Sequence, residues 1–152
     1  SGQSFGLGLA RMGSKLIYSG TTGLEVPPVI REKLKAMNAN FIEVNDLTIG
    51  QHEEMLAVEG VDLLYLPGCS VKKGEPGRDE FLKKMAEFYF TLEGLQKIKQ
   101  KNGKTVGLMH SLPRNEGEFD FAIDDSEHEL YFKQIGFSVP LRMSLLANIC
   151  GV

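Results

Sequence analysis

The stretch of this 152-residue chain richest in reactive groups is His110-Ser111-Leu112-Pro113-Arg114, which follows the apolar run Val106–Met109. A histidine can move or share a proton near neutral pH, and an arginine fork matches a carboxylate or phosphate. A prolyl bend keeps the carbonyls beside it out of regular backbone pairing, so they stay available to a bound group. A second polar cluster is Pro67–Arg78 (PGCSVKKGEPGR), with three glycines, two prolines and the paired Lys72 and Lys73. Its composition demands a long exposed loop.

Other chemistries find little support. His52, His110 and His128 show no metal-ligand spacing among themselves or with the cysteines, so no metal or other cofactor is expected. Cys69 and Cys150 are expected to be free thiols in a reducing compartment. There is no Walker loop, nucleophile elbow or zinc motif, and GLGLARMG (residues 6–13) lacks the preceding strand that a dinucleotide fingerprint needs. The 17 basic residues are outnumbered by 20 acidic ones and scattered, which argues against nucleic acid. The densest basic stretch, Lys97 to Lys104, is expected to be the solvated end of a helix. No apolar run approaches the roughly 20 residues of a membrane span, and no signal peptide opens the sequence, so a cytoplasmic location is expected.

The elements that must position these residues alternate between strand and helix. Strands are expected at 15–19, 41–44, 61–66 and 104–109, with a short one at 88–90. Helices are expected at Val29–Met37 after Pro27-Pro28, at Ile49–Val58 capped by Thr48, at Asp79–Phe88, and from a Thr91 cap to Lys101. Asn102-Gly103 should stop the last of these with a left-handed turn. After the acidic stretch Glu116–Glu129, two helices are expected, about Glu127–Ile135 and Val139–Cys150. The alternation predicts one α/β domain, with helices on both faces of a parallel sheet in a Rossmann-like three-layer sandwich. In such sheets ligands bind beyond the carboxyl ends of the strands. The loops Ser19–Gly23, Pro67–Arg78 and His110–Glu118 fall there.

HSLPRNEGEF, then DD and YFKQIGFSVPLRMSLL, resembles the end of the catalytic chain in the aspartate carbamoyltransferase family, with its His-Pro-Leu-Pro-Arg, Tyr-Phe-x-Gln and Arg-Met/Gln-Ala-Leu-Leu segments. VDLLYLPG and GQSFGLGLARMGSKLIYSGTTGLEVPP resemble upstream segments of the same chain, in the same order. The likeness covers residues 1–152 as the second, amino-acid-binding domain alone. The Ser-Thr-Arg-Thr loop and His-Pro-Thr-Gln segment of the carbamoyl-phosphate domain are not in this sequence. The resemblance also implies that the family's opening central strand lies ahead of Ser1, which would leave a gap or exposed edge near residues 15–19.

By that resemblance, the main-chain carbonyls of Ser111 and Leu112 would receive the protons of an acceptor amine, with His110, Pro113 and Arg114 shaping the bend. Carbamoyl phosphate would be held by a complementary domain or chain, in a homo-oligomer. Two positions depart from the pattern: Gln3 and Gly68 stand where the family has arginines for the carboxylates of aspartate, and Ser70 falls near a family glutamine. Lys72, Lys73 or Arg114 would have to compensate. Two functions therefore stay open: the amino-acid-binding half of an aspartate-carbamoyltransferase-type enzyme, inactive alone, or a non-catalytic binding or assembly module descended from it. The signatures of the ornithine-using relatives are absent from the sequence.

Overall fold

The computed structural model describes residues 2–68, 71 and 74–151. The chain runs α1 (Gly2–Arg11), β1 (Leu16–Gly20), α2 (Pro28–Ala36), β2 (Phe41–Asn45), α3 (Ile49–Val58), β3 (Leu63–Leu66), α4 (Arg78–Met85), α5 (Leu92–Asn102), β4 (Gly107–His110) and α6 (Tyr131–Cys150). Short 3-10 turns occupy Ala86–Phe88 and Phe121–Asp125. Local chemistry sets several boundaries. Thr48 and Gln51 form a reciprocal capping box at α3, Thr91 accepts from the Gly94 amide at α5, and Gly103 stops α5 in the left-handed conformation.

All strand pairing is parallel, as the βα alternation predicts, but the four strands form two pairs rather than one sheet. β1 pairs with β2 from Leu16–Phe41 to Gly20–Asn45, and β3 with β4 from Leu63–Gly107 to Leu66–His110. Among the described residues no ladder joins β1 to β3, so the expected gap lies beside β1. Side chains bridge it instead. Phe5 of α1 stacks on Tyr65 of β3 at 4.7 Å, Gly6 leaves room for the Tyr18 side chain of β1, and His52 Nε2 of α3 meets Ser19 Oγ of β1 at 2.6 Å. Each pair has its own apolar cluster. Leu16, Ile30 and Leu34 anchor the first, while Leu66, Leu95, Ile98, Val106 and Leu108 belong to the larger second.

Two expectations need correction. Residues 88–90 form no strand; Ala86–Phe88 is a 3-10 turn, and Phe90 is buried against the α3–α5 core. Within the acidic stretch before α6, Phe119 and Ile123 are buried. The two C-terminal helices are one, Tyr131–Cys150, continuing through Pro140. Gly136, just past the expected end of the first, does not take the left-handed conformation of a stop.

Beyond the buried Tyr131, α6 is the least covered element. Phe137, Leu141, Leu145 and Ile149 repeat at helical spacing and are 73%, 61%, 53% and 79% exposed. Among the described residues no helix is long and apolar enough to cross a membrane. Such a stripe favours association through its apolar area. Leu141→Lys with Leu145→Lys should reduce self-association in sedimentation velocity, while shifting stability by no more than about 0.5 kcal/mol, because the replaced side chains are exposed. A large loss of stability would show that the stripe is packed within the chain.

Burial lowers the pKa of both His52 and His110 below the ordinary histidine value. Each is neutral when folded and takes up a proton on unfolding, so their contribution is present above about pH 6.5 and is lost as pH falls towards the lowered folded values. Thermal melts from pH 7 to 5.5 should show stability falling with acidification, and His52→Gln should flatten that slope. An unchanged slope in the variant would remove His52 from the account.

Candidate functional site

The bend grows directly out of β4. His110 is the last residue of the strand and fully buried, rather than the first residue of the loop. Its ring packs edge-on against Phe119 at 5.3 Å, and its Nδ1 accepts the Leu112 amide at 3.0 Å. That bond makes Nδ1 the unprotonated nitrogen and leaves the proton on Nε2. Nε2 lies 3.5 Å from a Glu118 carboxylate oxygen.

The local bond at His110 turns the chain sharply. Leu112 has φ +48°, and the Leu112–Pro113 peptide is cis. A left-handed leucine costs on the order of 1–3 kcal/mol, and residues held this way gather at binding and catalytic sites. Among the described residues no hydrogen bond reaches the carbonyl of Ser111 or Leu112. Past the bend, the Asn115 amide donates to Glu118 Oε2 at 2.6 Å and the Glu118 amide to the Asn115 carbonyl at 3.2 Å, closing a tight turn.

Arg114 is engaged within the chain. Its Nη2 pairs with Asp124, and its guanidinium lies 3.9 Å over the Phe121 ring. Asp124 also accepts the Tyr131 hydroxyl. Burial first, and then that carboxylate, push the Tyr131 hydroxyl well above its ordinary pKa.

The β3–β4 register aligns Leu66 with His110, and so brings the two loop starts together. A side-chain carbon built on Gly68 would lie 3.5 Å from the His110 ring and from Ser111 Oγ, an ordinary contact. Gly68 therefore leaves an open place beside the bend. Gln3 sits exposed in the first turn of α1, the turn whose Gly2 and Phe5 face Tyr65 of β3. The Ser19–Gly23 loop is closed by Asp46, which accepts the Thr21 hydroxyl at 2.9 Å and the Thr22 amide at 2.8 Å; these bonds hold its carboxyl below the usual range. Ser70, Lys72 and Lys73, with Cys69, lie outside the described residues. Among the described residues no three ligating side chains converge on a possible metal position.

Sequence reasoning missed the supports beneath the bend: Phe119, Phe121, Asp124 and Tyr131. The available signal was aromatic, in Phe119-Asp120-Phe121 within a stretch that otherwise looks like solvated acid.

Residues 2–149 match the family model described as aspartate/ornithine carbamoyltransferase, Asp/Orn binding domain. The chain is 40% identical to a ureidoglycine carbamoyltransferase of Rubrobacter xylanophilus over 99% of its own length and 44% of the relative. It is 31% identical to an aspartate carbamoyltransferase catalytic subunit of Methanosphaera stadtmanae over 93% of its length and 41% of the relative. With that of Ignicoccus hospitalis it shares 32% identity over 99% of its length and 45% of the relative. The chain thus spans less than half the length of these relatives. With residues 2–149 matched, it belongs to the aspartate/ornithine carbamoyltransferase family and carries that family's amino-acid-binding domain.

Proposed function

We propose that this chain is the acceptor-binding half of a carbamoyltransferase, and that its acceptor is not a dicarboxylate but an amino acid with one carboxylate and a neutral ureido or amide group. In the transfer, the amine nitrogen bonds to the carbamoyl carbon, the bond from that carbon to the phosphate oxygen breaks, and the amine gives up a proton. The Ser111 and Leu112 carbonyls are the groups that hold the amine by its protons in a reactive orientation. The observation that carries this reading is the left-handed Leu112 at the end of β4, with neither carbonyl engaged by a described residue.

The acceptor class follows from charge. Each charge-assisted contact to a carboxylate is worth about 1.5–3 kcal/mol. The family's two arginine positions hold Gln3 and Gly68 here, and Arg114 is already paired with Asp124. A carboxamide at position 3 offers a donor and an acceptor, which suits a ureido group. The relative named a ureidoglycine carbamoyltransferase, matched along 99% of this chain, supports the same acceptor. Carbamoyl phosphate would be bound by a complementary domain or chain, with a homo-oligomer as the working form.

Calorimetry should show ureidoglycine binding more tightly than aspartate, whose affinity should be weaker than about millimolar. Supplied with carbamoyl phosphate and either acceptor, the chain alone should give no turnover. Micromolar aspartate binding would overturn the acceptor class, and turnover by the chain alone would overturn its role as a half. In a second test, Gly68→Arg should raise aspartate affinity about tenfold, equivalent to about 1.4 kcal/mol. A Cβ at Gly68 meets the His110 ring and Ser111 Oγ at an ordinary contact distance of 3.5 Å. A folded variant with unchanged aspartate affinity would remove Gly68 from the specificity argument.

A further inference from the structure

We infer that Asp124 is a positioning residue for the acceptor site, acting through Arg114 to fix the Ser111–Pro113 bend and joining that bend to the start of α6 through Tyr131. The inference rests on the proposed role of the Ser111 and Leu112 carbonyls. The bend has one anchor on each side. Ahead of it, the buried His110 accepts the Leu112 amide. Behind it, Arg114 follows Pro113 directly, and its guanidinium is held by the Phe121 face and by Asp124.

Asp124 is the junction of this second anchor. One of its oxygens takes Arg114 Nη2 and the other takes the Tyr131 hydroxyl. The pair is mostly buried, with side chains 16% and 25% exposed, so it is held more firmly than a surface ion pair. Tyr131 has no exposed surface, and its ring packs on Phe119, which in turn packs on His110. Both anchors thus close on one aromatic cluster, and α6 begins at it.

The segment bearing Asp124 is itself fixed. Asp120 accepts the Ala122 amide at 3.0 Å and the Leu92 amide of α5 at 3.2 Å, while its own amide donates to the Phe90 carbonyl at 3.0 Å. Asp124 is therefore referenced to α5 rather than carried on a free loop. Releasing Arg114 would leave Leu112, in its left-handed conformation, supported on one side only.

The test uses the isotope-labelled 152-residue chain, with Asp124→Asn, Tyr131→Phe and the remote core variant Ile98→Val. Nuclear magnetic resonance reads the Leu112 amide and the His110 Nδ1 resonance, both of which report the bond at the bend. Asp124→Asn and Tyr131→Phe should move these signals and weaken ureidoglycine binding about tenfold, the order expected when a reacting group is displaced from its oriented position. Ile98→Val should lower the melting temperature without moving either signal. Unmoved signals in Asp124→Asn, with only a lower melting temperature, would overturn the inference. If the signals move but the unsubstituted chain binds no ureidoglycine, the link from Asp124 to the bend stands and the acceptor reading fails.

Discussion

The structure turns on β4 being enclosed along both edges. On one side it pairs with β3 from Leu63–Gly107 to Leu66–His110. On the other, Leu108 donates to the His128 carbonyl at 2.7 Å and accepts the Leu130 amide at 3.0 Å, so the segment before α6 acts as a rudimentary neighbouring strand. Val106, Leu108 and His110 are without exposed surface as a result. A backbone satisfied on both sides, in a dry environment, has few alternatives to its register. The position of the bend follows, because His110 is the last residue that the enclosure holds and Ser111 the first beyond it.

That placement makes the imidazole a structural element before it is anything else. A neutral ring can accept the Leu112 amide; a protonated one cannot, since Nδ1 would then carry a hydrogen. The burial that keeps His110 neutral and the bond that shapes the bend are thus the same fact seen from two sides. His128 plays the opposite role one segment later, its Nδ1 donating to the Val106 carbonyl at 2.8 Å. His128 thus ties down the amino end of β4, while His110 stands at the carboxyl end, where an α/β sheet binds its ligands.

Features written in neighbouring residues were legible in the sequence. Thr48, Thr91 and Asn102-Gly103 fix helix ends through bonds spanning three or four positions, and each stands where its pattern predicts. The prolyl bend was legible for the same reason. Features that depend on distant partners were not. Nothing local distinguishes Asp124 from Asp120 or Asp125, yet only Asp124 meets Arg114 and Tyr131. The aromatic residues Phe119 and Phe121 are too few and too close to reveal a period, so charge dominated the reading of that stretch. A proline inside a helix costs about 3 kcal/mol, and Pro140 lies in the middle of α6. α6 nevertheless continues through it. The division of the strands into two pairs was visible only as an expectation of family likeness, since pairing partners lie far apart in the chain.

That division shapes how the molecule comes apart. The unit built from α1, β1, α2 and β2 holds a small core of Leu16, Ile30 and Leu34, together with the Arg31–Glu43 ion pair at 2.8 Å. It joins the larger unit through ring and side-chain contacts at Phe5–Tyr65 and His52–Ser19, not through a backbone ladder. Side-chain contacts can be given up singly, whereas a ladder fails as a whole. Subglobal opening should therefore begin in the smaller unit, whose amides would exchange with solvent at a lower free energy than those of β3 and β4. Any segment that hydrogen-bonded along the edges of β1 and β3 that no described residue pairs would fuse the two cooperative units into one.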